Sequence, residues 1–203
     1  MKTPISESER PYFVRFALIF AGMVVFWAIL HDIFLINVDA RHFTDYHRRI
    51  LPLENHVLLA IQYAVFATFG PALVYGFIAY FACRFGRKDK VGIVKAALGF
   101  ILMIFAVEIL LLAIGFYARS QFVLHGVTFY PAVLYPELSP GLVFTQSVNI
   151  SAYLFAPFLG ACYLLVIYLK RKPQAPNQAL QRTEWLVTEC APSCTFRAKP
   201  LRR

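Results

Sequence analysis

Long apolar runs divide the chain into regular segments and predict membrane-spanning helices. A helix needs about 20 apolar residues to cross the ~30 Å hydrocarbon layer of a bilayer. Glu108 is the only charged residue inside the four runs, which occupy residues 16–30, 57–83, 96–118 and 148–169. The first run is short unless its helix continues through His31 and Asp32 to about Ile36. The pattern therefore predicts four transmembrane helices, at about 12–36, 56–83, 96–118 and 146–169.

The composition and the breaks between the runs complete the predicted architecture. Only 15% of the 203 residues are charged and 59% are hydrophobic, whereas about 25% of the residues in a soluble domain are charged. We predict an all-α integral membrane protein with its four helices in an antiparallel bundle over residues 1–172. The segment 173–203 loses the apolar pattern, and we expect a disordered tail there.

Local signals add two expectations about the second and third spans. Asn55 stands just ahead of a long apolar run, which is typical of the residue that begins a helix. The connection between the second and third spans is short. It predicts that these two helices are antiparallel neighbours.

The charge distribution predicts how the chain crosses the membrane. The net charge is +9, and sixteen of the twenty Lys and Arg residues lie in the termini or in the second connection. The four others are Arg41, Arg48, Arg49 and Arg119. Basic residues are retained on the cytoplasmic side of a membrane, so we expect both termini to be cytoplasmic and the protein to lie in the cell (inner) membrane. Because the basic excess is explained by topology, we expect the lipid bilayer and no nucleic acid as a partner.

Small residues recur every fourth position in the second and fourth spans. This spacing lets two helix backbones approach closely, so we expect these faces to pack against another helix. Pro71 and Pro157 should kink the same two spans, because proline removes a backbone donor, and such kinks open local cavities. The recurring positions are Ala60, Ala64, Thr68, Ala72 and Gly76, followed by Ala152, Ala156 and Gly160.

Polar side chains inside the spans are the strongest candidates for chemistry. Counted along straight helices from the basic end, His31, Glu108 and Tyr153 lie at similar depths, and Asp32 adjoins the first of them. The helix neighbours of Glu108 are all apolar, so its carboxyl group needs a partner on another helix or must stay protonated. We therefore predict one polar layer of His31, Asp32, Glu108 and Tyr153 in the outer half of the bilayer.

A second polar cluster lies beyond the first span. His42, Asp45 and His47 offer nitrogen and oxygen ligands suited to zinc, copper or nickel. Their spacing matches no metal-binding motif, and histidine is also common in solvated loops. A metal site here is one alternative, and a solvated loop is the other.

Three functions fit these patterns. The first in our ranking is a non-enzymatic accessory or assembly component, which packs against a second copy or within a larger membrane complex. The second is a proton- or quinone-linked redox or transport component that uses His31, Asp32 and Glu108. The third is a metal-dependent enzyme of the outer face. The sequence has no phosphate-binding loop or nucleophile elbow, which favours a non-enzyme, and it indicates no specific cofactor.

Overall fold

Five α-helices make up most of the described chain. A computed structural model describes residues 5–46, 50–86, 88–128 and 136–173. A short 3-10 turn, Glu7–Glu9, precedes α1 (Arg10–Val38), α2 (Arg41–Thr44), α3 (His56–Arg84), α4 (Ile93–His125) and α5 (Pro140–Lys170). The predicted disordered tail lies outside the described residues, apart from its first residue.

Four of these helices have the length and composition of membrane spans. Helices α1, α3, α4 and α5 are all long and apolar enough to cross a bilayer. Their outward faces carry large apolar side chains such as Phe26, Leu102 and Leu154, which are 62%, 71% and 65% exposed. Extensive apolar surface of this kind is not tolerated in water, but it suits contact with lipid. The prediction of an all-α four-helix membrane bundle is confirmed.

Residues at the helix ends explain where the helices begin and stop. The Asn55 side chain accepts hydrogen bonds from the first backbone amides of α3, so the predicted start is confirmed. Helix α4 continues past residue 118 and ends at His125, where it is capped by Gly126, whose φ of 65° lies in the left-handed region that glycine adopts readily. Ser139 caps α5 and Pro140 occupies its first turn, so α5 begins before the predicted residue 146.

The long helices form two tightly packed pairs, α1 with α3 and α4 with α5. Around the bundle the order is α1, α3, α5, α4. Helices α3 and α4 are therefore diagonal to each other, and the prediction that they are neighbours is wrong. The reason lies at the end of α5, where Arg171 donates to the carbonyls of Ala82 and Phe85. This contact places the end of α5 beside the end of α3.

The predicted small-residue faces pack within the chain. Ala60, Ala64, Ala72 and Gly76 of α3 are buried, and a Cβ atom on Gly76 would lie only 2.8 Å from Cα of Ala17 in α1. Thr68 is half-buried and bonds to the Ala64 carbonyl. The first small-residue face therefore contributes to the α1–α3 contact.

The small residues of α5 have a different environment. Gly160 packs against the ring of Tyr75, whose hydroxyl group donates to the Gly160 carbonyl at 3.0 Å. Ala152 and Ala156 are half-buried and face the space between the two helix pairs. These positions therefore shape an internal cavity.

A polar link joins α1 to α5 at the end of the bundle opposite the termini. Asp39 accepts from the Arg41 guanidinium at 2.7 Å and from the Ser139 hydroxyl at 2.8 Å. Burial alone would raise the pKa of Asp39, but the hydrogen bonds from Arg41 and Ser139 outweigh burial and hold the pKa below its ordinary value. Asp39 is therefore held as a carboxylate that connects two helix ends.

Candidate functional site

A hydrogen-bonded group of three side chains joins α1 to α4. Trp27 Nε1 donates to Glu108 Oε2 at 2.9 Å, and His31 Nδ1 lies 3.1 Å from the same oxygen. Trp27 and His31 are four residues apart, so they lie on one face of α1. His31 is 5% exposed, and the Glu108 side chain is 24% exposed. The partner that Glu108 needs is thus provided by the neighbouring helix.

The His31–Glu108 contact can hold one proton in two ways. The pair can exist as an imidazole with a carboxylic acid or as an imidazolium with a carboxylate, and the proton moves along one hydrogen bond between these forms. His31 Nε2 is buried and has no hydrogen-bond partner among the described residues. An imidazole with one nitrogen held by a carboxyl group and the other unpaired can transfer a proton to a third molecule.

A cavity of about 270 Å³ lies between the two helix pairs. His31 and Asp32 of α1 line it, together with Asn149 and Tyr153 of α5. Pro71 of α3 and Pro157 of α5 also line it, at the positions where the proline kinks were expected to open space. Much of the remaining wall is apolar, including Val24, Phe100, Met103, Ile104 and Val107.

The cavity opens to one side of the bundle. The exposed residues of its wall are Ala67 and Pro71 on α3 and Tyr153 and Pro157 on α5. The lining residues contributed by α1 and α4 are all buried or half-buried. The opening therefore lies between α3 and α5, on a surface that is apolar enough to face lipid.

Of the four predicted members of the polar layer, the structure pairs two directly and places another two nearby. His31 and Glu108 are hydrogen bonded, whereas Asp32 and Tyr153 line the cavity beside His31. Asp32 is half-buried and contributes an ionisable side chain to the cavity wall. Glu108 itself lies behind His31 and does not line the cavity.

The predicted metal ligands are arranged differently. His42 is 2% exposed, and its two ring nitrogens contact the side-chain amides of Gln146 and Asn149. Asp45 is exposed and accepts from the Thr44 hydroxyl at 2.7 Å, while His47 lies outside the described residues. Within the described part of the chain, no three metal-ligating side chains come together. The metal site at residues 42–47 stays a prediction.

Two residues of the site were not singled out in the sequence. Trp27 is the only tryptophan in the first span, and its indole N–H is a hydrogen-bond donor. Its position four residues before His31 was a usable signal that the two side chains share one face of the helix. Asn149 is a polar residue at the start of an apolar run, and it both lines the cavity and contacts His42. Polar side chains inside apolar helices need partners, and this rule identifies both residues.

Comparisons of the chain with protein-family models, with curated proteins and with solved structures find no match.

Proposed function

We propose that the protein is a proton-linked membrane component of the redox or transport class. In this proposal, His31 and Glu108 hold a proton and exchange it with a molecule in the cavity. Asp32, the ionisable neighbour of His31 in the cavity wall, takes part in the same proton exchange. The observation that supports it most is the contact of His31 Nδ1 with Glu108 at 3.1 Å, combined with an Nε2 that has no partner among the described residues. A hydrogen bond of this kind couples the protonation of the two groups.

The packing favours this proposal over that of an accessory or assembly subunit. The small-residue face of α3 is already covered by α1, since Ala60 and Ala72 are fully buried within the single chain. That face is therefore occupied and is not left for a partner. A structural subunit also has no need for a cavity lined by His31 and Asp32, and cavities reduce the stability of a packed core.

The charge distribution supports a cell (inner) membrane location with both termini in the cytoplasm. Helices α1, α3, α4 and α5 then cross the bilayer in alternating directions. The sixteen basic residues near the termini and in the second connection lie on the cytoplasmic side in this arrangement. The His31–Glu108 pair lies deeper than the basic residues at the helix ends, in the outer half of the bilayer.

Proton flux across vesicle membranes tests the proposal. The purified protein is reconstituted into liposomes that contain a pH-sensitive dye, and a potassium diffusion potential is applied. We expect proton flux above that of empty liposomes, and we expect Glu108→Gln to reduce it to the background. The glutamine keeps the shape and the hydrogen bonds of the side chain but cannot take up or release a proton.

Glu54→Gln is the matched control, because Glu54 is an exposed carboxylate just ahead of α3. This variant should keep the wild-type flux. Infrared spectra recorded across a pH series give a second readout, in which the carboxylic acid band of Glu108 should disappear in Glu108→Gln. Equal flux in the wild type and in Glu108→Gln would contradict the proposal.

A further inference from the structure

The size of the cavity limits what it can hold. An apolar cavity of about 150 Å³ accepts a benzene ring, and sites for drug-sized ligands begin at about 300 Å³. The cavity here, at about 270 Å³, falls between these values. It therefore has room for a substituted six-membered ring.

The walls of the cavity suit a flat ring. Trp27, Tyr75, Phe100 and Tyr153 all contribute to its lining, so aromatic surfaces are present on each of the four long helices. Aromatic side chains pack favourably against planar rings in stacked or edge-to-face arrangements. The apolar opening between α3 and α5 allows a hydrocarbon tail attached to such a ring to remain in the lipid.

The polar groups of the cavity suit a ring that carries oxygen atoms. His31 Nε2 is buried without a partner in the described chain, and Asp32 lines the cavity beside His31. When His31 is neutral and its Nδ1–H bonds to Glu108, Nε2 accepts a hydrogen bond and fits a hydroxyl group. When His31 is protonated, Nε2 donates and fits a carbonyl group. The Tyr153 hydroxyl provides a second contact that can donate or accept.

We propose that the cavity binds the head ring of a quinone-type lipid, which enters from the bilayer between α3 and α5. This inference deepens the proton-linked function proposed above and rests on it for the proton chemistry of His31. The ring carries carbonyl groups in its oxidised form and hydroxyl groups in its reduced form. Both forms match an imidazole that donates in one protonation state and accepts in the other.

Trp27 provides a direct measurement of binding. The chain has two tryptophans, so Trp185→Phe leaves Trp27 as the only one. This variant of the full chain, in detergent, is titrated with a short-tailed benzoquinone while tryptophan fluorescence is recorded. We expect saturable quenching, because a ring in the cavity lies against Trp27. An alkylbenzene of the same tail length, which lacks ring oxygens, should not displace the quinone.

Substitutions on α5 locate the binding. Ala156 lines the cavity, so Ala156→Leu fills it and should weaken binding at least about tenfold. Ala161→Leu is the matched control, because Ala161 lies on the same helix but is exposed and outside the cavity wall. If Ala156→Leu does not fold, Ala152→Val fills the same space. Tyr153→Phe removes one hydrogen bond and should weaken binding by up to about tenfold.

Three results would overturn the inference. They are quenching that does not saturate, equal binding in Ala156→Leu and Ala161→Leu, and displacement of the quinone by the alkylbenzene. The two proposals fail separately. Saturable binding with normal proton flux in Glu108→Gln would support the ring site and remove the proton-linked function. Loss of flux in Glu108→Gln without saturable binding would support the proton-linked function and remove the ring site.

Discussion

A buried arginine shows how a single residue can fix the arrangement of helices. Arg171 follows the last residue of α5 and is only 5% exposed. Its guanidinium group donates to the carbonyls of Ala82, Phe85 and Asp89, at distances between 2.6 and 2.9 Å. These carbonyls lie at the end of α3 and in the connection that follows it. Arginine can satisfy several of them at once because its five N–H groups spread from a planar fork.

Replacement of Arg171 should therefore destabilise the bundle strongly. Arg171→Leu leaves buried carbonyls without donors, and we expect the free energy of unfolding to fall by about 2–4 kcal/mol. Arg171→Lys should recover only part of this loss, because an ammonium group donates from a single point. Thermal unfolding in detergent measures the effect, and Lys172→Leu at the exposed neighbouring position is the control. Similar stability of Arg171→Leu and Lys172→Leu would show that the capping contacts contribute little.

At the scale of helices, the α1–α3 contact depends on the absence of a side chain at Gly76. An added Cβ atom would lie 2.8 Å from Cα of Ala17, a backbone atom that cannot move aside alone. We expect Gly76→Ala to cost about 1–3 kcal/mol of stability. Gly70→Ala on the same helix has open space around it and should be neutral or stabilise by up to about 1 kcal/mol, because alanine favours helix. The free energies of unfolding of the two variants are compared by denaturation in detergent. Equal values would mean that α1 and α3 move apart at little cost to make room for the added methyl group.

Helix ends could be predicted better than helix neighbours. Asn55 indicated the start of α3 by its residue type alone, because capping depends on residues that are close in the sequence. Gly126 and the Ser139–Pro140 pair carried equally local signals for the ends of α4 and α5, although the predicted spans stopped short of them. Which helices lie side by side is different, because it depends on distant contacts. The short connection after α3 could not indicate that α5 stands between α3 and α4.

At the scale of the whole molecule, the polar pair was easier to predict than the cavity. Glu108 had only apolar neighbours on its own helix, so it needed either a proton or a partner at matching depth on another helix, and His31 is such a partner. The cavity, by contrast, results from loose packing between two tight helix pairs. Pro71 and Pro157 indicated that space would open, but its volume and its opening between α3 and α5 depend on all four helices.

The stability of the whole bundle should also depend on pH through Asp39. This carboxylate connects the end of α1 to the start of α5, and its contacts with Arg41 and Ser139 hold its pKa below the ordinary value of 3.8. A group whose pKa is lower in the folded state stabilises the fold above its unfolded pKa, and the stabilisation disappears as the pH falls through the folded pKa. Unfolding measured between pH 6 and pH 2 should therefore show a loss that begins near pH 4. Asp39→Asn should be less stable at pH 6 by about 1.5–3 kcal/mol and should lose less on acidification. Asp45→Asn, at an exposed site in the same region, should show the same pH dependence of unfolding as the wild type. If Asp39→Asn also matched the wild-type curve, the Asp39 link would not hold the helix ends together.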